Sequence, residues 1–145
     1  MTHRQRSFAA SSARPFSCGT LRHLRIARPV SDLNASKSLY CQALGLQVLG
    51  SFEDHAGFDG VMLGIPGLDW HLGFTFCAGH AIQPSPTAED LLVLYSDTPD
   101  TFDDTCAWLV KSGFKRVKAF NPYWEEHGAT FIDHDAYRLV IARRP

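Results

Sequence analysis

The chain has 145 residues, 45% of them apolar, and a formal charge of −1 from 14 Lys+Arg against 15 Asp+Glu. That length fits one domain, and the apolar share can close a core. Near-neutrality leaves no global field for a nucleic-acid backbone, and no apolar run reaches the roughly 18–20 residues that cross a bilayer. Neither a nucleic-acid nor a membrane partner is expected.

Residues 1–20 carry Arg4, Arg6 and Arg14, no acid, and many Ser and Ala. This composition is compatible with an organellar transit peptide, but a flexible basic tail is the simpler expectation. From His23 the pattern becomes regular. Leu24 to Val30 reads as a strand. Ser31-Asp32 supplies N-cap chemistry for a helix over Leu33–Leu44, with Leu33, Ser36, Tyr40 and Leu44 on one face and Gly45 as its stop. Strands follow over Leu46–Phe52, Phe58–Gly64 and Trp70–Phe76, with turns at His55-Ala56-Gly57 and Pro66-Gly67. In the last of these, Trp70, Leu72, Phe74 and Phe76 share one face, and His71, Gly73 and Thr75 the other.

Residues 78–89 are rich in Gly, Pro and Ser and read as a linker. The order then repeats. Leu91–Tyr95 is a strand, and Thr98-Pro99-Asp100 starts a helix with an apolar stripe of Phe102, Cys106, Leu109 and Val110. Gly113 stops it, and Phe114–Ala119 is a strand. A loop holds Asn121 to His127. Ala129–Ile132 and Tyr137–Ala142 close a hairpin through Asp133-His134-Asp135-Ala136. The first module's second face is semi-polar, which suits a cavity better than a packed core.

Cys18, Cys41, Cys77 and Cys106 form no CxxC pair, so reduced thiols in a cytoplasmic protein are expected. None of the seven histidines falls in an HxH or HExxH spacing.

The doubled strand–helix–strand–strand–strand order resembles the vicinal oxygen chelate superfamily, also called the glyoxalase/bleomycin-resistance/dioxygenase fold. Ser31-Asp32-Leu33 through Ser38-Leu39-Tyr40 and Leu44-Gly45-Leu46 is similar to that family's opening. Gly128-Ala129-Thr130-Phe131 with Asp133-His134-Asp135-Ala136-Tyr137 is similar to its closing hairpin. The resemblance covers residues 23–143. Gly50 to His55 and Asn121 to Trp124 are similar to a poorly characterised bacterial branch of it. It implies an α+β fold of two tandem βαβββ modules whose curled mixed sheets enclose a cavity. The domain would span 21–145, with module one at about 23–77, the linker at 78–89 and module two at about 90–143. A homodimer is also implied.

The family's enzymes usually hold a divalent metal with His or Glu from four strands. The matched positions here are Arg25, Gly73, the stretch Leu91 to Val93, and Val140. A guanidinium has no free lone pair, and Gly, Leu and Val side chains offer none. The standard metal is therefore not expected, and no other cofactor is called for. A nonstandard site from His55, His71, Glu125 and His127 is the alternative.

On the same match Arg25 points into the cavity as an anchor for a carboxylate or phosphate, or else forms a structural ion pair. Arg138 has the parity of Val140 and lines the cavity or a solvated edge. Gly73 and Thr75 leave room for a ligand, and Tyr123 and Trp124 offer contact area from a closing loop. His71 and Glu125 are the candidate acid/base pair. Three functions follow. The favoured one is a metal-independent protein that binds a small aromatic or anionic molecule, as antibiotic-sequestering members of the superfamily do. The others are a lyase/isomerase or dioxygenase-like enzyme with a rearranged site, and a structural or regulatory partner protein.

Overall fold

The computed structural model describes residues 19–144, so the expected basic tail and Cys18 lie outside the described residues except for a turn at Gly19 and Thr20. Eight strands and three α-helices follow. Strand β1 is Leu24–Pro29, α1 Leu33–Leu44, β2 Gln47–His55, β3 Phe58–Gly64 and β4 Trp70–Cys77. Then come β5 Leu91–Ser96, α2 Phe102–Ser112, β6 Lys115–Val117, α3 Pro122–His127, β7 Gly128–Ile132 and β8 Arg138–Arg143.

The strands form two four-stranded sheets with the same internal order, β1-β4-β3-β2 and β5-β8-β7-β6. In each, the first strand pairs parallel with the last, and the remaining pairs are antiparallel. This is the tandem βαβββ arrangement, an α+β fold.

Local chemistry explains most element ends. The Asp32 side chain accepts the Ala35 amide at 3.0 Å, and Gly45 closes α1 at φ 66, a left-handed angle that glycine adopts freely. Thr98 does not cap α2 as its position suggested. Its hydroxyl meets that of Thr101 at 2.9 Å, and a 3₁₀ turn over Pro99–Thr101 leads into the helix. Segment 121–127, expected to be a loop, is helical instead. Asn121 accepts the Tyr123 amide at 3.0 Å and Pro122 occupies the first turn, so the Asn-Pro pair acts as a helix start. Strand β6 is shorter than expected and β2 runs on to His55.

The core lies between the sheets and holds α1 and α2. Tyr40, Leu63, Leu109, Phe131 and Leu139 are completely buried in one continuous cluster. Val110 was placed in the α2 stripe but is exposed. Tyr40 ties the modules together. Its ring meets Phe74 of module one and Phe114 of module two edge-on, at 4.9 and 5.3 Å. Its hydroxyl donates to Asp133 Oδ2 at 2.7 Å. Asp133 Oδ1 accepts the Asp135 and Tyr137 amides, and the Tyr137 hydroxyl donates to the Pro29 carbonyl at 2.7 Å. The β7–β8 turn of module two is thereby docked on the end of β1 and on α1.

Each sheet therefore has an inner face toward the helices and an outer face away from them. On the first sheet the outer face is exposed in part, although Gly60, Gly64, His71 and Gly73 on it are buried. Phe58, which alternates outward with Met62, is exposed, and so is Leu49 at the other end of β3, beside Gly64. The second sheet differs. Outward-alternating Thr130, Val140 and Ala142 are buried, although they are not part of the core cluster. The helix α3 packs on β7 and β8, and the Lys118 carbonyl lies 3.5 Å from outward-facing Arg138. The segment from Lys118 through α3 thus covers that face. No helix among the described residues is long and apolar enough to cross a membrane.

The Tyr40–Asp133 bond is expected to carry a measurable share of stability. Tyr40→Phe strips a buried carboxylate oxygen of its donor and should cost about 1–3 kcal/mol. Asp133→Ala also frees two backbone amides of the turn and should cost more. Urea denaturation of both variants checks the order, and a neutral Tyr40→Phe would contradict it.

Candidate functional site on the first sheet

Strands β1 and β4 run parallel with Arg25 opposite His71 and Ala27 opposite Gly73. That register brings three of the expected residues together on the outer face. The Arg25 Nε–H donates to His71 Nε2 at 2.7 Å. The Arg25 stem lies across Gly73, so that a Cβ there would stand 3.2 Å from Arg25 Cδ. Thr75 continues the same face, paired with Gly60 of β3.

A second imidazole joins that of His71. His23 Nε2 contacts His71 Nδ1, with the ring centroids 4.6 Å apart. The proton positions follow from the partners. His71 Nε2 accepts from Arg25, so its proton sits on Nδ1 and points to His23. His71 is thus a neutral imidazole with both nitrogens engaged. Burial, then the Arg25 guanidinium, then His23 push its pKa below the ordinary 6.5. His23 received no role in the sequence reading. The signal was its parity: two residues before Arg25, it falls on the same face of the strand.

Arg25 itself is exposed, and among the described residues no carboxylate pairs with it. Among the described residues its Nη atoms have no hydrogen-bond or ion-pair partner, while Nε is held by His71. The structural ion pair weighed for Arg25 is therefore not formed among these residues.

The floor beside Arg25 is built from glycines. A Cβ at Gly64 would stand 2.8 Å from Leu49 Cδ1, at Gly50 2.8 Å from Met62 Cε, and at Gly60 2.2 Å from Phe52 Cζ. Leu49, Met62 and Phe52 thus lie down over Gly64, Gly50 and Gly60 and make that part of the face apolar.

The other expected residues stand elsewhere. Tyr123, Trp124 and Glu125 belong to α3, against the second sheet, and so does Arg138 of β8. Glu125 Oε1 accepts the Ala119 amide at 2.6 Å. Tyr123 stacks on His127 at 4.1 Å and meets Trp124 edge-on. His71 and Glu125 are thus on different sheets of one chain and do not form an acid/base pair within it. The apolar groove of ≈ 280 Å³ between the modules is lined by Leu24, Ile26, Trp70, Leu72, Leu92 and Leu94, among others, and not by Arg25 or His71.

The family's metal is tested by its ligand positions. At the first stands a guanidinium, over the second lies its stem, and Val140 at the fourth is completely buried. These residues do not fit a divalent ion. The nonstandard set of His55, His71, Glu125 and His127 is spread over β2, β4 and α3, and no group of three or more His, Cys, Asp or Glu that could hold a metal occurs among the described residues.

Comparison with known proteins places the chain. Residues 24–75 match the model of the YycE-like N-terminal domain, and residues 89–143 that of the YycE-like C-terminal domain. The uncharacterized YycE protein of Bacillus subtilis (strain 168) is 37% identical over 126 residues, covering 87% of this chain and 91% of its own. A crystal structure of a Bacillus subtilis YycE protein of unknown function superposes with a TM-score of 0.81 at 35% identity, over 91% of this chain and 96% of that one. More distant, and informative for the fold alone, is TnmS3, an antibiotic binding protein from Streptomyces sp. CB03234. It has a TM-score of 0.61 and 22% identity, covering 85% of this chain and 95% of its own. Glyoxalase I of Leishmania major gives 0.66 and 20%, over 84% and 86%.

The titration of His71 is expected to run below that of an ordinary histidine. As pH falls through 6.5, the unfolded chain takes up a proton that folded His71 still refuses, so this residue lowers stability on the acid side. Arg25→Gln should raise the midpoint part of the way, because burial, the larger cause, stays. Ring-proton NMR across pH 5–8 reads both, and a midpoint at or above 6.5 in the unaltered protein would contradict it.

Proposed function

The chain belongs to the YycE-like family within the glyoxalase/bleomycin-resistance/dioxygenase superfamily, and from that premise we propose that it is a metal-independent small-molecule-binding protein of the cytoplasm. Its ligand is a small anionic or aromatic molecule held on the outer face of the first sheet by Arg25, Gly73, Thr75 and the apolar side chains beside them.

The observation that carries this is Arg25. A guanidinium held at Nε by a neutral histidine, lying over a glycine, with its remaining donors free, is a preorganised anion anchor. A role in ion pairing would have consumed those donors. A role in metal chemistry would have needed lone pairs at the same position. TnmS3 shows that a protein of this fold can serve binding.

A second copy of the chain supplies the cover. The first sheet leaves Leu49 and Phe58 exposed, and the segment around α3 leaves Phe120 and Tyr123 exposed. In a homodimer the two apolar surfaces meet, bringing Tyr123 and Trp124 of one copy over Arg25 of the other, while Glu125 stays on the Ala119 amide. The acid/base reading of His71 and Glu125 gains nothing from the geometry, since each is already committed to a partner.

Sedimentation equilibrium is expected to give a dimer. A thermal-shift screen of the metal-free protein should find stabilising ligands among small acids and aromatic compounds, and Arg25→Gln should abolish the shift for the acids. A bound divalent ion, one per chain, whose removal lowers Tm would overturn the metal-independent reading.

A further inference from the structure

We infer that the groove between the end of β1 and the linker is a second ligand site, and that it takes a free amino acid through both its carboxylate and its ammonium group.

The groove has a volume of ≈ 380 Å³ and is lined by Ala27, Arg28, Gln83, Ser85, Asp90 and Tyr137, among others. It is separate from the Arg25 face. Arg25 points to the outer side of β1, whereas Leu24, Ile26 and Arg28 alternate to the inner side, opposite Trp70, Leu72 and Phe74.

Arg28 forms one wall. It is half-buried, and its guanidinium lies over the Tyr137 ring with Cζ 4.6 Å from the centroid. That contact holds the side chain in place but satisfies none of its N–H groups. Nη1 is buried without a hydrogen-bond partner, and among the described residues no carboxylate pairs with the group. A permanent charge so placed is costly until an anion meets it.

The free edge of β1 adds main-chain groups. The amide of Leu24 donates to Asp69 and that of Val30 to Thr75, so the even-numbered residues of this strand turn their peptide groups to β4. Ala27 therefore turns its amide and carbonyl the other way, to the edge that has no strand partner among the described residues.

The linker wall carries the opposite charge. The Thr87 amide and hydroxyl both donate to Asp90 Oδ2 at 2.8 Å. Those two bonds, and more weakly the Arg28 guanidinium, hold the Asp90 carboxyl below its usual range, so it is ionised at neutral pH. Arg28 and Asp90 line one groove yet form no ion pair with each other.

Charge then selects the ligand. A simple anion would be drawn to Arg28 and repelled by Asp90, and a simple amine the reverse. A molecule carrying both charges gains on both walls. Its carboxylate meets the Arg28 donors and the Ala27 amide, and its ammonium meets Asp90. A free amino acid is a small molecule of that kind.

The test uses the full chain and five probes: glycine, β-alanine, 4-aminobutyrate, acetate and methylammonium. Amide NMR follows Arg28, Ser85 and Asp90, with Gly64 reporting on the outer face. The amino acid whose charges match the span between the walls is expected to shift the first three saturably and to leave Gly64 unmoved. Acetate and methylammonium should bind at least about tenfold more weakly. Asp90→Asn keeps an acceptor for Thr87 and should bring the best amino acid down to the level of acetate. Arg28→Gln should bring it down to that of methylammonium; Asp90 is exposed, so its variant decides the matter if the half-buried Arg28 cannot be replaced without loss of the fold. Acetate binding as tightly as the best amino acid, undiminished binding by Asp90→Asn, or shifts confined to Gly64 would each overturn the assignment. So would the lack of a saturable shift from any of the five.

Discussion

The placement of everything else depends on one buried carboxylate. Asp133 is 5% exposed, and a charge so placed must be fully hydrogen-bonded to be tolerated. Its donors come from both modules: two amides of its own turn and the hydroxyl of Tyr40. Burial, and then the same pairing, pushes the Tyr40 phenol far above its usual range, so it remains a donor. Asp135 extends the joint by accepting from the amide and hydroxyl of Ser31, and Tyr137 reaches the Pro29 carbonyl. The turn cannot satisfy Asp133 without docking on α1. Docking there puts the helices between the sheets and leaves both outer faces pointing away from the shared core.

From that arrangement the two modules diverge. They have the same strand order and the same inner packing, yet their outer faces meet different fates. In module two, the residues between β6 and β7 include Asn121-Pro122, which start a helix and fold it back on β7 and β8. In module one, β2 and β3 are joined by a tight hairpin at Ala56-Gly57, too short to cover anything. The first sheet accordingly carries polar groups and glycines on its outer face, whereas the second carries Thr130, Val140 and Ala142 buried outside the core.

Much of this was legible in the sequence, for reasons that are local. Strands β3 and β4 and helix α1 read correctly because alternation, an Asp cap and a stop glycine all act within a few residues. The parity of β4 also placed His71, Gly73 and Thr75 on one face. Three features were not legible. The helix at Pro122–His127 was hidden by a composition that also suits a loop, although Asn-Pro is a sound helix start. The exposure of Val110 depends on how much of α2 the neighbouring module covers, which is a tertiary matter. The bond between Arg25 and His71 required the parallel register of β1 on β4, set by residues 46 positions apart. Periodicity gives the face of a strand and leaves its register open.

The departures at Arg25 and Gly73 are best understood as one feature. Taken singly, each merely lacks a lone pair. Taken together, they make a structure: the arginine stem occupies the space that a side chain at position 73 would need, with Cδ 3.2 Å from a Cβ placed there. A glutamate at 73 could not share that space, and an arginine without the glycine beneath it could not lie flat. The result keeps a positive centre on a rigid sheet, as a metal would supply, but changes what it offers. A metal ion accepts lone pairs from several directions and can activate what it binds. A guanidinium donates in a plane, cannot give up its proton, and holds an anion without activating it. Geometry and charge at these two positions therefore form one unit, a planar donor where a Lewis acid would need lone pairs.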